Sequence, residues 1–122
     1  MTKDDFSIEA KFFRGLSDST RLSILEVLRD GEKTVGEIVE ATKQSQSNIS
    51  NHLKCLAECG LVKNKRAGKN IYYFLRDSRT KSLLDLSDQV VSKISSHIRK
   101  CLRYDEQKIK LNYTRREVSN NV

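Results

Sequence analysis

Residues 44–62 read QSQSNISNHLKCLAECGLV, and their apolar positions recur at helical period. Ile49, Leu53 and Leu56 fall on one stripe at i, i+4 and i+7, while Ser47, Ser50, Asn51 and Lys54 lie broadly opposite. A merely solvated face normally carries Glu and Lys in quantity. Small uncharged hydrogen-bonding side chains with one lysine suit a face that enters a groove and bonds to base edges and phosphates. Ser45 is placed to cap this helix and Gly60 to stop it.

The same reading orders the rest of the chain. Residues 4–16 form a first helix with Phe6, Ala10, Phe12, Phe13 and Leu16 as apolar positions, broken between Gly15 and Asp18. Ser17 or Asp18 caps a second helix with Leu22, Ile24, Leu25, Val27 and Leu28 on a broad core face, ended by Asp30 and Gly31. Thr34 caps a short third helix through Val35, Ile38, Val39 and Ala41, and a break at Thr42–Gln44 leads into the fourth. Two short helices joined by a tight turn, the second with a polar outer face, are a helix-turn-helix.

After Gly60 the period changes to two. Residues 61–66 are predicted as a strand, Ala67–Asn70 as a turn and residues 71–75 as the returning strand. Lys63, Lys65, Arg66 and Lys69 make this hairpin basic, as befits a wing against the phosphate backbone. From Ser78 a long helix is predicted to about Arg103, with Leu83, Val90, Ile94 and Ile98 recurring at seven- and four-residue steps. A helix of this size, roughly 37 Å at 1.5 Å per residue, is too long for a small domain to cover. A dimer seam shared with Phe6 and Phe13 of the first helix is the natural sink for its stripe. The predicted architecture is mainly α with a small β-hairpin: a winged helix-turn-helix, homodimeric through its N-terminal and long C-terminal helices. Residues 1–103 form the DNA-binding and dimerisation domain, and 104–122 a polar, flexible tail.

Composition narrows the function. The 122 residues carry a net charge of +7 and are 37% hydrophobic, enough for one domain and favouring a polyanionic partner. Double-stranded DNA is that partner, read by Gln44, Ser45, Gln46, Ser47, Ser50, Asn51 and Lys54 together with the wing cations. No apolar run approaches a membrane span or a signal-peptide core, so a cytoplasmic protein without membrane contact is expected. An enzyme is not expected: there is no Gly-rich phosphate loop, no carboxylate pair at catalytic spacing and no Cys–His–acid constellation. Three cysteines, an odd number, argue against a disulfide framework and leave inert core thiols, a metal site or a redox site. Cys55 and Cys59 are one turn apart on the DNA-reading helix.

The order of elements resembles the ArsR/SmtB family of dimeric winged-helix metal-sensing repressors. The motifs that carry the resemblance are LSDSTRLSIL at 16–25, SNISNHLKCL at 47–56, Gly60-Leu61-Val62 and GKNIYY at 68–73. It implies a homodimer that binds a palindromic operator when metal-free and releases it on binding the inducer. Members with Asp-x-His early in the long helix have no counterpart here, where the stretch is Asp77-Ser78-Arg79 with Val90 and Lys93 further on. Members with Cys-x-Cys before the recognition helix have none either, since Thr34–Ile38 lacks thiols. The match is to the CmtR-like cadmium and lead sensors, whose pattern falls on Cys55, Cys59 and Cys101. The resemblance therefore implies Cd(II) or Pb(II) as inducer, ahead of As(III) or Zn(II), and thiolates do favour soft ions. His52 and His97 are conceivable fourth ligands, although a structural histidine is the commoner case. A repressor sensing oxidants or arsenite through the same cysteines is the alternative reading.

Overall fold

The computed structural model describes residues 2–101, with the side chains of Ser96 and residues 98–101 outside that description. The predicted third thiol Cys101, the seam position Ile98 and the tail 104–122 thus fall outside it. The chain divides into two compact units, residues 1–82 and 83–122.

The first unit is a helical core edged by a small sheet. A 3-10 turn at Lys3–Phe6 precedes helix α1 (Ser7–Leu16), so the first helix begins later than its apolar pattern. Helix α2 spans Ser19–Leu28, strand β1 Lys33–Thr34, α3 Val35–Thr42 and α4 Gln46–Glu58. Strands β2 (Val62–Ala67) and β3 (Asn70–Leu75) follow. Asp18 caps α2 by accepting from the Arg21 amide at 3.0 Å. Thr34 and Glu37 cap α3 reciprocally, with the Glu37 amide donating to the Thr34 hydroxyl and the Thr34 amide to the Glu37 carboxylate. The Thr34 amide and the Thr34 hydroxyl both donate to the Glu37 carboxylate and hold it below its ordinary pKa. Ser45 caps α4 through the Asn48 amide at 3.2 Å.

The predicted stripe is the centre of the core. Ile49, Leu53 and Leu56 of α4 are buried together with Ile24, Leu25 and Leu28 of α2, Ile38 of α3, and Leu61 and Val62. The end of α4 follows from Gly60, whose φ of +79° lets Leu61 N–H reach the Leu56 carbonyl (2.9 Å) and Gly60 N–H the Ala57 carbonyl (3.1 Å). That pair of bonds turns the chain directly into β2. In the hairpin, Gly68 takes φ +64° as the first of two turn residues, where a positive φ needs glycine.

The sheet has one strand more than the hairpin predicted. Its order is β1-β3-β2, antiparallel, with Lys33 opposite Tyr73 and Thr34 opposite Tyr72. A two-residue strand is too short to show a period. Helix α5 spans Arg79–Cys101. The side-chain acceptor at its start is Asp77, whose carboxylate takes the Arg79 amide at 2.8 Å.

Taken separately, α1 and α5 each leave large apolar side chains in solvent. Phe6 and Phe13 are 45% and 51% exposed on the N-terminal segment, and Val90 and Ile94 are 49% and 41% exposed on α5. Leu86 is also exposed on α5, whereas Leu83 is half-buried. No helix among the described residues is long and apolar enough to cross a membrane.

Candidate nucleic-acid interface and thiol pair

Burying Ile49, Leu53 and Leu56 turns the opposite side of α4 outward. Gln44, Ser45, Gln46, Ser47, Ser50, Asn51 and Lys54 are all exposed, as the sequence predicts. Two of them already hold structure. The Ser45 hydroxyl caps the helix, and the Gln44 side-chain carbonyl accepts from the Asn48 amide group at 3.0 Å. Gln46, Ser50, Asn51 and Lys54 keep their polar ends unengaged by other described residues.

The wing cations are exposed too, but they divide between two faces. Side chains alternate along a strand, and directly opposed residues of a pair share a face. Val62, Asn64 and Arg66 therefore lie with Leu75, Tyr73 and Ile71, and Lys63 and Lys65 lie on the other face with Phe74 and Tyr72. Asn64 and Tyr73 line a groove of about 380 Å³ against α4, whose wall there includes Ser50, Leu53 and Lys54. Arg66 is thus on the recognition-helix side and Lys65 is not. Counting in twos from the apolar Val62 would have found Asn64 and Arg66 from sequence.

Lys65 also has a partner that is not legible in the sequence. Its ammonium lies 2.7 Å from the Glu32 carboxylate, in the loop before β1. Exposed pairs of this kind contribute about 0–1 kcal/mol and are screened by salt, so a DNA phosphate would compete with Glu32 for this lysine. Glu32→Gln is expected to raise affinity for mixed-sequence duplex DNA by up to about fivefold at low salt. The slope of log K against log salt should steepen by up to about one. Anisotropy titrations across a salt series check this, and unchanged affinity and slope would show that Lys65 makes no phosphate contact.

The thiol pair sits on the same helix. Cys55 and Cys59 are free and half-buried. Cys59 is the C-cap residue of α4, its amide donating to the Cys55 carbonyl at 3.0 Å. Gly15, the buried residue of α1, packs over this end: a Cβ there would lie 3.5 Å from the Cys59 sulfur and 3.1 Å from Leu61 Cδ1. Arg21 clamps the same stretch by donating to the Gly15 and Arg14 carbonyls, each at 2.9 Å. Gly15→Leu is therefore expected to lower stability by roughly 1–3 kcal/mol through overpacking and to displace the Cys59 thiol, which would weaken any metal uptake through it. A thermal melt and a metal titration on the surviving folded fraction test both effects.

His52, one turn before Cys55, has its Nδ1 3.8 Å from the Asp18 carboxylate, which joins α4 to the capped start of α2. That is a structural role. His97 is exposed on α5. Among the described residues no three His, Cys, Asp or Glu side chains gather as a metal cluster. The donor set at α4 is the two thiols, which fit a soft ion and leave room for further ligands. At Asp77 the Arg79 guanidinium lies 2.6 Å from the carboxylate and holds its pKa down to about 2. The aspartate an Asp-x-His site would use is thus engaged by an arginine standing where that ligand would be.

A buried helix-turn-helix, an exposed polar recognition face and a basic hairpin define a winged-helix DNA-binding protein. The description of bacterial regulatory proteins of the arsR family matches residues 18–64. The chain is 40% identical over 82 residues to the regulator CmtR of Mycobacterium tuberculosis, covering 67% of this chain and 70% of that one. The NMR structure of that cadmium metal-sensor matches with a TM-score of 0.60 over 67% of this chain and 85% of it. The homodimeric winged helix-turn-helix domain of Mb0332 from Mycobacterium bovis matches at 28% identity and a TM-score of 0.67, over 78% of this chain and 90% of that one. A Streptomyces lividans protein named "Probable mercury resistance operon repressor" is 44% identical over 78 residues, 64% of this chain, and the chain covers 62% of its length. The chain belongs to the arsR family of transcriptional regulators.

Proposed function

We propose that the protein is a metal-responsive repressor that holds double-stranded operator DNA as a homodimer when metal-free. A soft thiophilic ion bound by Cys55, Cys59 and Cys101 releases it, with Cd(II) or Pb(II) favoured over As(III) or Zn(II). The observation that carries this reading is the placement of two free, half-buried thiols on the helix that presents the DNA-reading face. Relatives named for cadmium sensing and mercury resistance support a soft ion. The exposure of Phe6, Phe13, Val90 and Ile94 supports a dimer seam, which on this reading also takes in Leu83 and Ile98. On this reading the protein acts in the cytoplasm.

When bound, the ion supplies strong bonds to thiolates. Cys55 and Cys59 must lose their protons to serve, so uptake weakens as pH falls. Drawing the two together with Cys101 would bias the C-terminal end of α4, the helix whose outer polar face meets the DNA. Release follows if the held geometry differs from the DNA-bound one, at a coupling of about 1–3 kcal/mol.

The test is anisotropy of the reduced protein on a duplex selected by the protein from a random pool. Cd²⁺, Pb²⁺, Hg²⁺, arsenite and Zn²⁺ are titrated in turn, with sulfur-to-metal charge-transfer absorbance followed in parallel. Binding without metal and loss of binding with a soft ion is the expected result. Release by peroxide and by none of the ions would transfer the function to thiol oxidation, with Cys55 or Cys59 pairing with Cys101.

A further inference from the structure

The groove between α4 and the sheet takes in two of the recognition positions, Ser50 and Lys54, and its walls are chemically lopsided. Lys54 and Ser50 line it from α4, and Asn64 and Tyr73 from the sheet. All four bring hydrogen-bond donors, and none of their side-chain polar ends is engaged by another described residue. Lys54 is exposed and has no acidic partner among the described residues. The walls are rigid: Leu53, beside Lys54, is buried in the core, and Asn64 is held directly opposite Tyr73 in the β2–β3 ladder. Glu58, one turn beyond Lys54, is the only acidic residue of the lining.

This matters because of where the groove lies. A helix in the major groove and a hairpin reaching the adjacent minor groove straddle the single sugar-phosphate strand that separates those grooves. The concavity between helix and hairpin is where that strand passes. We propose that this groove seats one phosphodiester of the bound DNA, with the Lys54 ammonium as the charge partner and the Tyr73 hydroxyl and Asn64 amide as neutral donors. The Glu58 carboxylate repels a second phosphate, so the groove takes one and sets the strand's course past the helix. Asn64 and Tyr73 are then DNA-contacting residues that the basic pattern of the wing does not reveal. The inference rests on the DNA-binding reading and adds a phosphate seat to it.

The test separates charge from hydrogen bonding. Two probes are used: a mixed-sequence 24-bp duplex and the duplex selected by the wild-type protein, each followed by anisotropy across a salt series. Lys54→Gln should flatten the slope of log K against log salt by about 0.9, the signature of one lost phosphate charge. Tyr73→Phe and Asn64→Ala should each weaken both duplexes by roughly three- to tenfold with the slope unchanged, because neutral donors release no counterions. Tyr73→Phe keeps the ring, and thermal melts confirm that each variant is folded. Tyr73→Phe and Asn64→Ala binding both duplexes as tightly as wild type would overturn the proposal. So would a loss confined to the selected duplex, which would mark base reading instead. If selection with the wild type enriches no duplex and the wild type does not bind the mixed-sequence one, the DNA-binding reading itself falls, an outcome distinct from loss of the phosphate seat alone.

Discussion

Cys101→Ser leaves a protein that still takes up a thiophilic ion through Cys55 and Cys59 yet loses most of its metal-driven release from DNA. The proposed function separates the roles of the three thiols. The pair on α4 is local, one turn apart on a single helix, and supplies most of the affinity. Cys55→Ser or Cys59→Ser should therefore abolish tight binding. In the proposed site the third ligand, Cys101, would come from α5 and would make the ion a link between the DNA-reading helix and the long helix. Coupling free energies of about 1–3 kcal/mol correspond to roughly 5–150-fold changes in affinity, and they are reciprocal. In the wild type, DNA should lower metal affinity by the same factor by which metal lowers DNA affinity. In Cys101→Ser both factors should approach one. Operator anisotropy at saturating Cd²⁺, paired with metal titrations in the presence and absence of DNA, measures both legs of the cycle. Wild-type release by the Cys101→Ser protein, with reduced thiols confirmed, would end the link mechanism.

Val90→Asp or Ile94→Asp is expected to produce monomers or aggregates and to collapse operator binding. Both side chains are large, apolar and about half exposed in the single chain. In a dimer seam either aspartate would bury an unpaired charge, at a cost of roughly 3–5 kcal/mol. At 1.4 kcal/mol per decade, that weakens self-association by about two to four orders of magnitude. A palindromic operator is read by two recognition helices held at a set spacing, so a monomer loses the second half-site. Sedimentation velocity and operator titration should therefore change together. A dimer that survives both substitutions would place the seam elsewhere.

The elements that position the DNA-reading face were legible because each was signalled twice. The α4 stripe gave the buried Ile49, Leu53 and Leu56, and its caps gave both ends: Ser45 receives the Asn48 amide, and Gly60 adopts the positive φ. The hairpin announced itself by its change of period and its Gly68. What stayed hidden was short or non-local. Strand β1 has two residues, and its pairing with β3 joins positions some forty apart in sequence. The Glu32–Lys65 pair depends on that same joining, so the apparent charge of the wing overstated what is free to meet DNA. The late start of α1 follows from the 3-10 turn at Lys3–Phe6, which hydrophobic spacing alone does not distinguish from the first turn of an α-helix. The role of Cys101 rests on the pattern of its relatives, because its side chain lies outside the described residues.

The strand order has a consequence for self-association. With β3 in the middle and β1 only two residues long, β2 is the long border of the sheet among the described residues, and its outward backbone amides and carbonyls pair with no other described strand, so another extended chain can approach them. Directly behind it lies a run of high β-propensity, Ile71-Tyr72-Tyr73-Phe74-Leu75. After Val62 the strand carries Lys63, Asn64, Lys65 and Arg66, so a second copy approaching that border meets like charge at three of four successive positions. The cations of the wing thus also act as gatekeepers against cross-β growth, and neutralising them all at once would remove that safeguard along with the phosphate contacts.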